Sequence, residues 1–299
     1  MLSLTNVEHY ANASQIDTYV AERDVVLTYV LKILDDARLI DKLAFKGGTC
    51  LKKVYYGKTT RFSEDLDFTS LDPDGSERLK KSLKQLFDSK KYYDITFEIK
   101  DDHTTTQGTV VSYGAVIQYT HDWQSAQFDF EVSYREKPAL VVESLPLQDE
   151  IYFKYIEFDR FKVPSLHREE LMAEKIRAAF QRLRPRDVYD LHKYSQSAYN
   201  RDLVRSLAVI KCWNVHDPFN PELLLQRIKG EKYKWDDLKR LVRPNQMVNE
   251  KKLVSETVKS YSYLTDVNSD LKQIIDDSKK HKLAAKVDKV LKSITAKAA

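Results

Sequence analysis

Apolar residues recur at helical spacing over 21–40, where Val26, Val30, Ile33, Leu34 and Ala37 fall on one stripe, and an amphipathic helix is predicted there. The next run, Leu43-Ala44-Phe45-Lys46, is short and strand-like. It stops at Gly47-Gly48, after which Cys50, Leu51, Val54 and Tyr55 resume helical spacing. The pattern reads as strand, tight turn, helix. Asp65-Leu66-Asp67-Phe68 alternates polar and apolar, as a strand with one wet and one buried face does, so both aspartates point the same way. A helix is predicted over 76–88 through Leu79, Leu83, Leu86 and Phe87. Strands are predicted over 93–100, 109–120 and 125–134. In the last, Phe128, Phe130 and Val132 share one face while Asp129, Glu131 and Ser133 share the other. Past Val163-Pro164 the chain reads as helices to its end, with Ser165 the expected N-cap. The expected architecture is α+β: a mixed-sheet domain with N-terminal helices over 1–164, then a helical domain over 165–299.

Composition narrows the chemistry. With 299 residues, 42% of them hydrophobic, the chain can bury a substantial core. Its 49 Lys and Arg against 45 Asp and Glu leave +4, too small a surplus to mark a nucleic-acid binder by itself. Cys50 and Cys212 have no zinc-pair or disulfide-framework spacing, which fits a reducing compartment. The start has no basic segment followed by an apolar stretch, and no run of eighteen apolar residues occurs, so a cytoplasmic protein without a membrane anchor is expected. The seven histidines are scattered, and any metal would be held by oxygen ligands. Residues 280–299 form a lysine-rich amphipathic pattern, which reads as a solvated surface or as a binding arm.

Two elements carry candidate chemistry. Side-chain-free Gly47 and Gly48, with Thr49 opening a helix, would let backbone N–H groups approach a phosphate, although an ordinary strand-to-helix turn uses glycines too. Asp65 and Asp67, at i and i+2 on a strand, converge on one cation. Mg²⁺ prefers one or two protein carboxylates, with water and substrate phosphates completing its shell. The competing reading is an edge strand with Asp65 or Glu64 paired to Arg61. A third carboxylate from a neighbouring strand would serve a second cation and the attacking hydroxyl; Glu131 is the choice, with Asp129 on the same face. Lys53, Arg61 and Ser63 flank the two elements and are candidate nucleotide contacts. Tyr55, Tyr56 and Tyr189 are candidates for stacking on a base, and the insert YYGKTTRF is expected to form a loop at the mouth of the site.

The segments GGTCLKKVY, RFSEDLDF, EVSYRE and LMAEKIRAAFQRLRPRDVYDL, in this order over roughly 43–194, resemble the AbiEii/AbiGii-type nucleotidyltransferase toxins, a group that includes the MenT toxins. The resemblance implies a polymerase-β-like nucleotidyltransferase sheet followed by a helical domain that closes one side of the cleft. It implies an NTP co-substrate and Mg²⁺ or Mn²⁺ on Asp65, Asp67 and Glu131, with Gly47, Gly48 and Thr49 seating the triphosphate. The family's further lysine and aspartate fall on Lys175 and on Asp187 or Asp190. Lys175 would offset charge as pyrophosphate leaves, whereas Asp187 also reads as an ordinary N-cap with Asp190 in the first turn. Arg177, Arg182, Arg184 and Arg186 read equally as a grip on RNA or nucleotide and as a charged helix face. The resemblance also implies a toxin of a toxin–antitoxin or phage-defence pair, an RNA acceptor such as the 3′ end of tRNA, and a cognate antitoxin. Transfer to a protein or small molecule, or a non-catalytic nucleotide- or RNA-binding module, are the alternative readings.

Overall fold

One mixed sheet organises the first half of the chain. The computed structural model describes residues 2–107, 109–246 and 249–296. Its chain divides into two units. The first comprises Met1–Pro138, Val142–Leu166 and Arg240–Gln246; the second comprises Ala139–Val141, His167–Lys239 and Met247–Ala299. The first unit opens with α1 (Leu4–Ser14) and α2 (Thr18–Asp36), continues through β1 (Leu43–Lys46) into α3 (Gly47–Cys50), and α3 runs on as a π-helical turn over Leu51–Tyr56. There follow β2 (Leu66–Ser70), α4 (Ser76–Phe87), β3 (Lys90–Tyr92), β4 (Ile95–Gln107), β5 (Thr109–Thr120), β6 (Ser125–Ser133), β7 (Glu143–Pro146) and β8 (Lys162–Ser165).

The strands form one eight-stranded sheet in the order β3-β4-β5-β6-β2-β1-β8-β7. β2 pairs antiparallel with β1 and parallel with β6, and β1 pairs parallel with β8. The architecture is therefore mixed α+β, as the alternation of patterns predicts. One face is built from Phe45, Phe68, Phe130 and Val132, all fully buried, with ring centroids 5.2 Å apart for Phe45–Phe68 and 5.1 Å for Phe68–Phe130. β4 runs well past the predicted 93–100, because the polar stretch 101–107 pairs with β5 across a register shift between Ile99 and Asp101. β3, β7 and β8 carry no alternation long enough to announce themselves. Ser165 is not a helix cap: it lies in β8 and its hydroxyl donates to the Val163 carbonyl at 2.9 Å, while His167 precedes the next helix.

α2 is buried over most of its surface, and its buried polar residues Glu22, Asp24 and Thr28 are held by protein partners. Asp24 accepts from Lys53 Nζ at 2.9 Å and from the Tyr10 hydroxyl at 2.7 Å. Lys52 Nζ lies 3.7 Å from the same carboxylate and pairs with Glu150, which Arg243 approaches at 3.6 Å. Lys52 Nζ and the Arg243 guanidinium each approach the Phe62 ring, at 4.5 and 4.6 Å from its centroid. Burial alone would raise the Asp24 pKa, but the two lysines outweigh it and hold it at about 2. This network ties α2, the 47–56 helix, the 148–152 loop and the 240–246 segment together. The YYGKTTRF insert is drawn into the same assembly, since Arg243 Nη1 donates to Lys58 O at 2.8 Å and the Phe62 N–H to Leu241 O at 2.7 Å.

The second unit is helical: α5 (Arg168–Gln181), α6 (Pro185–Ser195), α7 (Arg201–Trp213), α8 (Pro221–Gly230), α9 (Asp236–Lys239), α10 (Glu250–Ser260), α11 (Ser269–Asp277) and α12 (Ala284–Thr295). Asn200, Asn220, Asn249 and Asn268 cap α7, α8, α10 and α11, each accepting from the N–H three residues on. Glu170 of α5, fully buried, pairs with Lys211 of α7 at 2.9 Å and accepts the backbone N–H groups of Ala139 and Leu140. The lysine-rich C-terminal pattern forms α12, where Lys286 pairs with Asp270 at 2.7 Å. Residues 297–299 of that pattern lie outside the described residues.

Two outcomes follow from the buried charges. Asp24→Ala strands Lys52 and Lys53 without their shared anion and is expected to cost about 3–5 kcal/mol, measured by urea unfolding. Glu22, buried on α2 beside Trp123 and Tyr119, has its pKa raised by burial to about 7. The folded state therefore holds a proton that the unfolded chain has already lost above about pH 4.5. This contribution is fully present below that pH and is lost as pH rises through 7. His121, 3.4 Å from Glu22 and with its pKa lowered by burial to about 4, contributes in the opposite sense over the same range. The Glu22 contribution is therefore the difference between two curves: Glu22→Gln should lose less stability, or gain more, than the wild type between pH 5 and pH 7.5, and an unchanged pH slope in the variant would refute the assignment.

Candidate active site

The turn after β1 and the acidic strand meet at atomic distance. Gly47 has φ +77°, a conformation that disfavours side chains. A Cβ placed on it would also lie 2.8 Å from the Asp67 Cγ and overlap the carboxylate oxygen. Only glycine lets the Asp67 carboxylate rest against the turn. Gly48 gives the same room to two other groups, since a Cβ there would stand 2.7 Å from Arg61 Nη2 and 2.8 Å from Ser63 Oγ. Thr49 is buried, and its hydroxyl donates to the Asp65 carbonyl. Its side chain therefore fixes the backbone of the acidic segment and does not face a ligand.

The ladder register sets the rest. Asp67 lies opposite Lys46 in the antiparallel pair with β1 and opposite Glu131 in the parallel pair with β6. Directly paired residues share a face, so Lys46, Asp67 and Glu131 form one row on the side away from Phe45, Phe68 and Val132. Asp65 precedes the first strand residue, and the same register runs back from Asp67 and Glu131 toward Asp65 and Asp129. Like charges directly opposite destabilise a sheet, and a divalent cation between them reverses the sign. Among the described residues, no three His, Cys, Asp or Glu side chains are arranged to hold a metal by themselves. The donor set still fits Mg²⁺, which takes one or two protein carboxylates and completes its octahedron with water and phosphate oxygens.

Glu64, read from sequence as an alternative partner of Arg61, is claimed elsewhere. Arg240 grips it bidentately at 2.8 and 2.7 Å, and Arg23 of α2 reaches it at 3.3 Å. Phe62 N–H donates to the Leu241 carbonyl at 2.7 Å, so the 240–246 segment clamps the approach to Asp65 from both backbone and side chain. Sequence offers no signal for this clamp, because its halves lie 176 residues apart.

Several predicted contacts are relocated. Lys53, expected at the nucleotide, is buried, and its ammonium is consumed by the Asp24 carbonyl and carboxylate, Thr28 and, at 3.3 Å, Tyr152. Three protons so engaged leave none for a phosphate. Asp187, also expected there, is fully buried and caps α6, accepting the Arg184 N–H at 3.1 Å and the Arg182 guanidinium at 3.3 Å. Asp190 instead pairs with Lys175 at 2.7 Å, both nearly buried within the second unit; the i, i+3 pair Asp187 and Asp190 thus divides into a cap and an ion-pair partner. Tyr189 is buried, and the Tyr55 hydroxyl donates to Leu166 O at 2.7 Å, which commits both to the fold.

Comparison with known proteins bears on the fold and the family. Over nearly its whole length the chain is similar to the MenT4 nucleotidyltransferase toxin of Mycobacterium tuberculosis: 22% identity over 98% of this chain and 99% of that one, with a TM-score of 0.81. A putative nucleotidyltransferase from H. pylori matches at 18% identity over 87% of this chain and 99% of that one, with a TM-score of 0.51. At these identities both show the fold alone. No curated protein matches. The family model described as nucleotidyl transferase AbiEii toxin, type IV TA system, matches residues 29–253, a span that takes in the glycine turn, the acidic strand, Glu131 and the Lys175–Asp190 pair. The chain belongs to the AbiEii nucleotidyltransferase toxins of type IV toxin–antitoxin systems, and it is a nucleotidyltransferase.

Proposed function

We propose that the enzyme moves a nucleotidyl group from an NTP to RNA, with the 3′ end of tRNA as the acceptor, and that it does so in the cytoplasm as the toxic partner of a cognate antitoxin, in phage defence among other settings. Among the described residues no helix is long and apolar enough to cross a membrane. The observation that carries the chemistry is the Asp67 carboxylate lying against Gly47 with Glu131 beside it in the ladder.

In this reading the backbone at Gly47 and Gly48 and the Arg61 guanidinium receive the triphosphate, with Ser63 beside them. Asp65 and Asp67 would hold Mg²⁺ or Mn²⁺, with Glu131 completing a second site, and the ion would supply charge neutralisation for the phosphates and a more acidic acceptor hydroxyl. The acceptor hydroxyl oxygen forms a bond to the α-phosphorus as the bond from that phosphorus to the β-phosphate bridging oxygen breaks. The leaving group is pyrophosphate, and Glu131 accepts or directs the hydroxyl proton. Thr49 acts one step back by fixing the Asp65 backbone. Lys175 and Asp190 enter through the family motif alone, as a second charged element whose members pair with each other within the second unit. Rate then comes chiefly from alignment and electrostatics.

Incubation with total RNA, Mg²⁺ and each α-labelled NTP should put label into tRNA. Asp65→Ala, Asp67→Ala and Glu131→Ala should each lose at least about a hundredfold, and chelation should abolish labelling until Mg²⁺ is restored. Label entering protein or a small molecule instead would reject the RNA acceptor, and a biological effect that survives Asp67→Ala would reject catalysis as its basis. The turn is testable separately: Gly47→Ala should destabilise the wild type by about 1–3 kcal/mol and by clearly less in an Asp67→Ala background. A double-mutant cycle without coupling would show that the two groups are not in contact.

A further inference from the structure

Gly114 sits in the interior of β5, a 12-residue strand, where glycine weakens a strand and often marks the close approach of another group. Tyr113 and Ala115 on either side are buried, so position 114 faces the same side of the sheet as the carboxylates. The ladder pairs it with Glu131 of β6 on one side and His103 of β4 on the other. One row thus runs across five strands as His103, Gly114, Glu131, Asp67, Lys46. The imidazole occupies the space a side chain at 114 would fill: a Cβ there would lie 2.7 Å from His103 Nε2 and 3.2 Å from Nδ1. Directly opposed residues stand about 4.5–5.5 Å apart at Cβ, which brings the ring alongside Glu131. His103 is exposed, and its side chain makes no hydrogen bond or ion pair among the described residues.

The carboxylates divide this row into two sides. Lys46 and the glycine turn, with Arg61 and Ser63, lie on the β1 side of Asp67; Gly114 and His103 lie on the β5 side of Glu131. In an in-line displacement the leaving and attacking oxygens depart from and approach the phosphorus on opposite faces. If the triphosphate is seated at the turn, the hydroxyl arrives from the β5 side. Gly114 is two strand spacings from Asp67, about 10 Å, within the span of one terminal nucleotide. We propose that His103 is an acceptor-binding residue: its imidazole, laid over Gly114, donates a hydrogen bond to a ribose or phosphate oxygen at the end of the RNA acceptor. This rests on the nucleotidyltransfer-to-RNA reading above, and it assigns the acceptor side of that site.

The test uses the full-length protein, Mg²⁺, total tRNA and the NTP that labels best, with KM measured for each substrate and tRNA retention on filters measured without NTP. His103→Ala should raise the KM for tRNA about tenfold and weaken retention by a similar factor, leaving the KM for NTP and the melting temperature unchanged. His103→Asn, which keeps an N–H donor, should recover part of the loss. Gly114→Ala should reproduce it with the histidine still present, because the new methyl group displaces the ring. An unchanged tRNA KM in His103→Ala, or an increase confined to the NTP, overturns the proposal while the transferase reading stands. A wild-type protein that labels no RNA overturns that reading itself, and this assignment with it.

Discussion

The site depends on one contact, that of the Asp67 carboxylate with the bare Cα of Gly47. It forces glycine at a position with φ +77° and fixes how far the acidic strand stands from the turn. Every other element takes its place from it. Glu131 arrives by the parallel register with β2, Lys46 by the antiparallel register with β1, and Gly48 opens the neighbouring space for Arg61 and Ser63. A carboxylate beside the backbone of a glycine turn is a fitting place for a cation whose other ligands are phosphate oxygens.

Charge of this density in a small region needs a stiff frame, and the first unit supplies it with more charge, buried and paired. Asp24, Lys52, Lys53, Glu150 and Arg243 lock the 47–56 helix against α2 and the 148–152 loop. Glu64 is caught between Arg23 and Arg240 immediately before Asp65. Such networks contribute less net stability than specificity of arrangement, because desolvation offsets most of the Coulomb attraction. Their value here is geometric. The residues on either side of the turn and of the acidic strand cannot drift without breaking a buried ion pair, and catalysis by alignment tolerates little drift.

Family membership and local geometry support each other while answering different questions. The family match establishes a nucleotidyltransferase toxin. The register establishes which carboxylates share a face, and the buried hydroxyl of Thr49 and ammonium of Lys53 remove two groups from the ligand side of the site. The π-helical turn at Leu51–Tyr56 follows directly on the glycine turn, and such turns are frequent beside functional sites. Here it faces Lys52 and Lys53 inward to the ion network, where simple motif proximity would have placed Lys53 at the nucleotide.

What the sequence decided was local. Strand–turn–helix over 43–56, the alternation around Asp65 and Asp67, the face shared by Asp129 and Glu131, and the helical character after Pro164 are all read from periods of 2 and 3.6 residues, which depend only on near neighbours. The tertiary structure decided what distance along the chain conceals. It chose Glu64 as a partner for Arg240 and sent Lys53 into Asp24. It gave Asp187 to a cap and Asp190 to Lys175, and it paired the polar half of β4 so that His103 lies over Gly114. A lysine or carboxylate has the same hydropathy whether it meets a substrate or a buried counter-ion. Which one it meets is fixed by register and packing between segments far apart in the chain, and no short-range pattern records that.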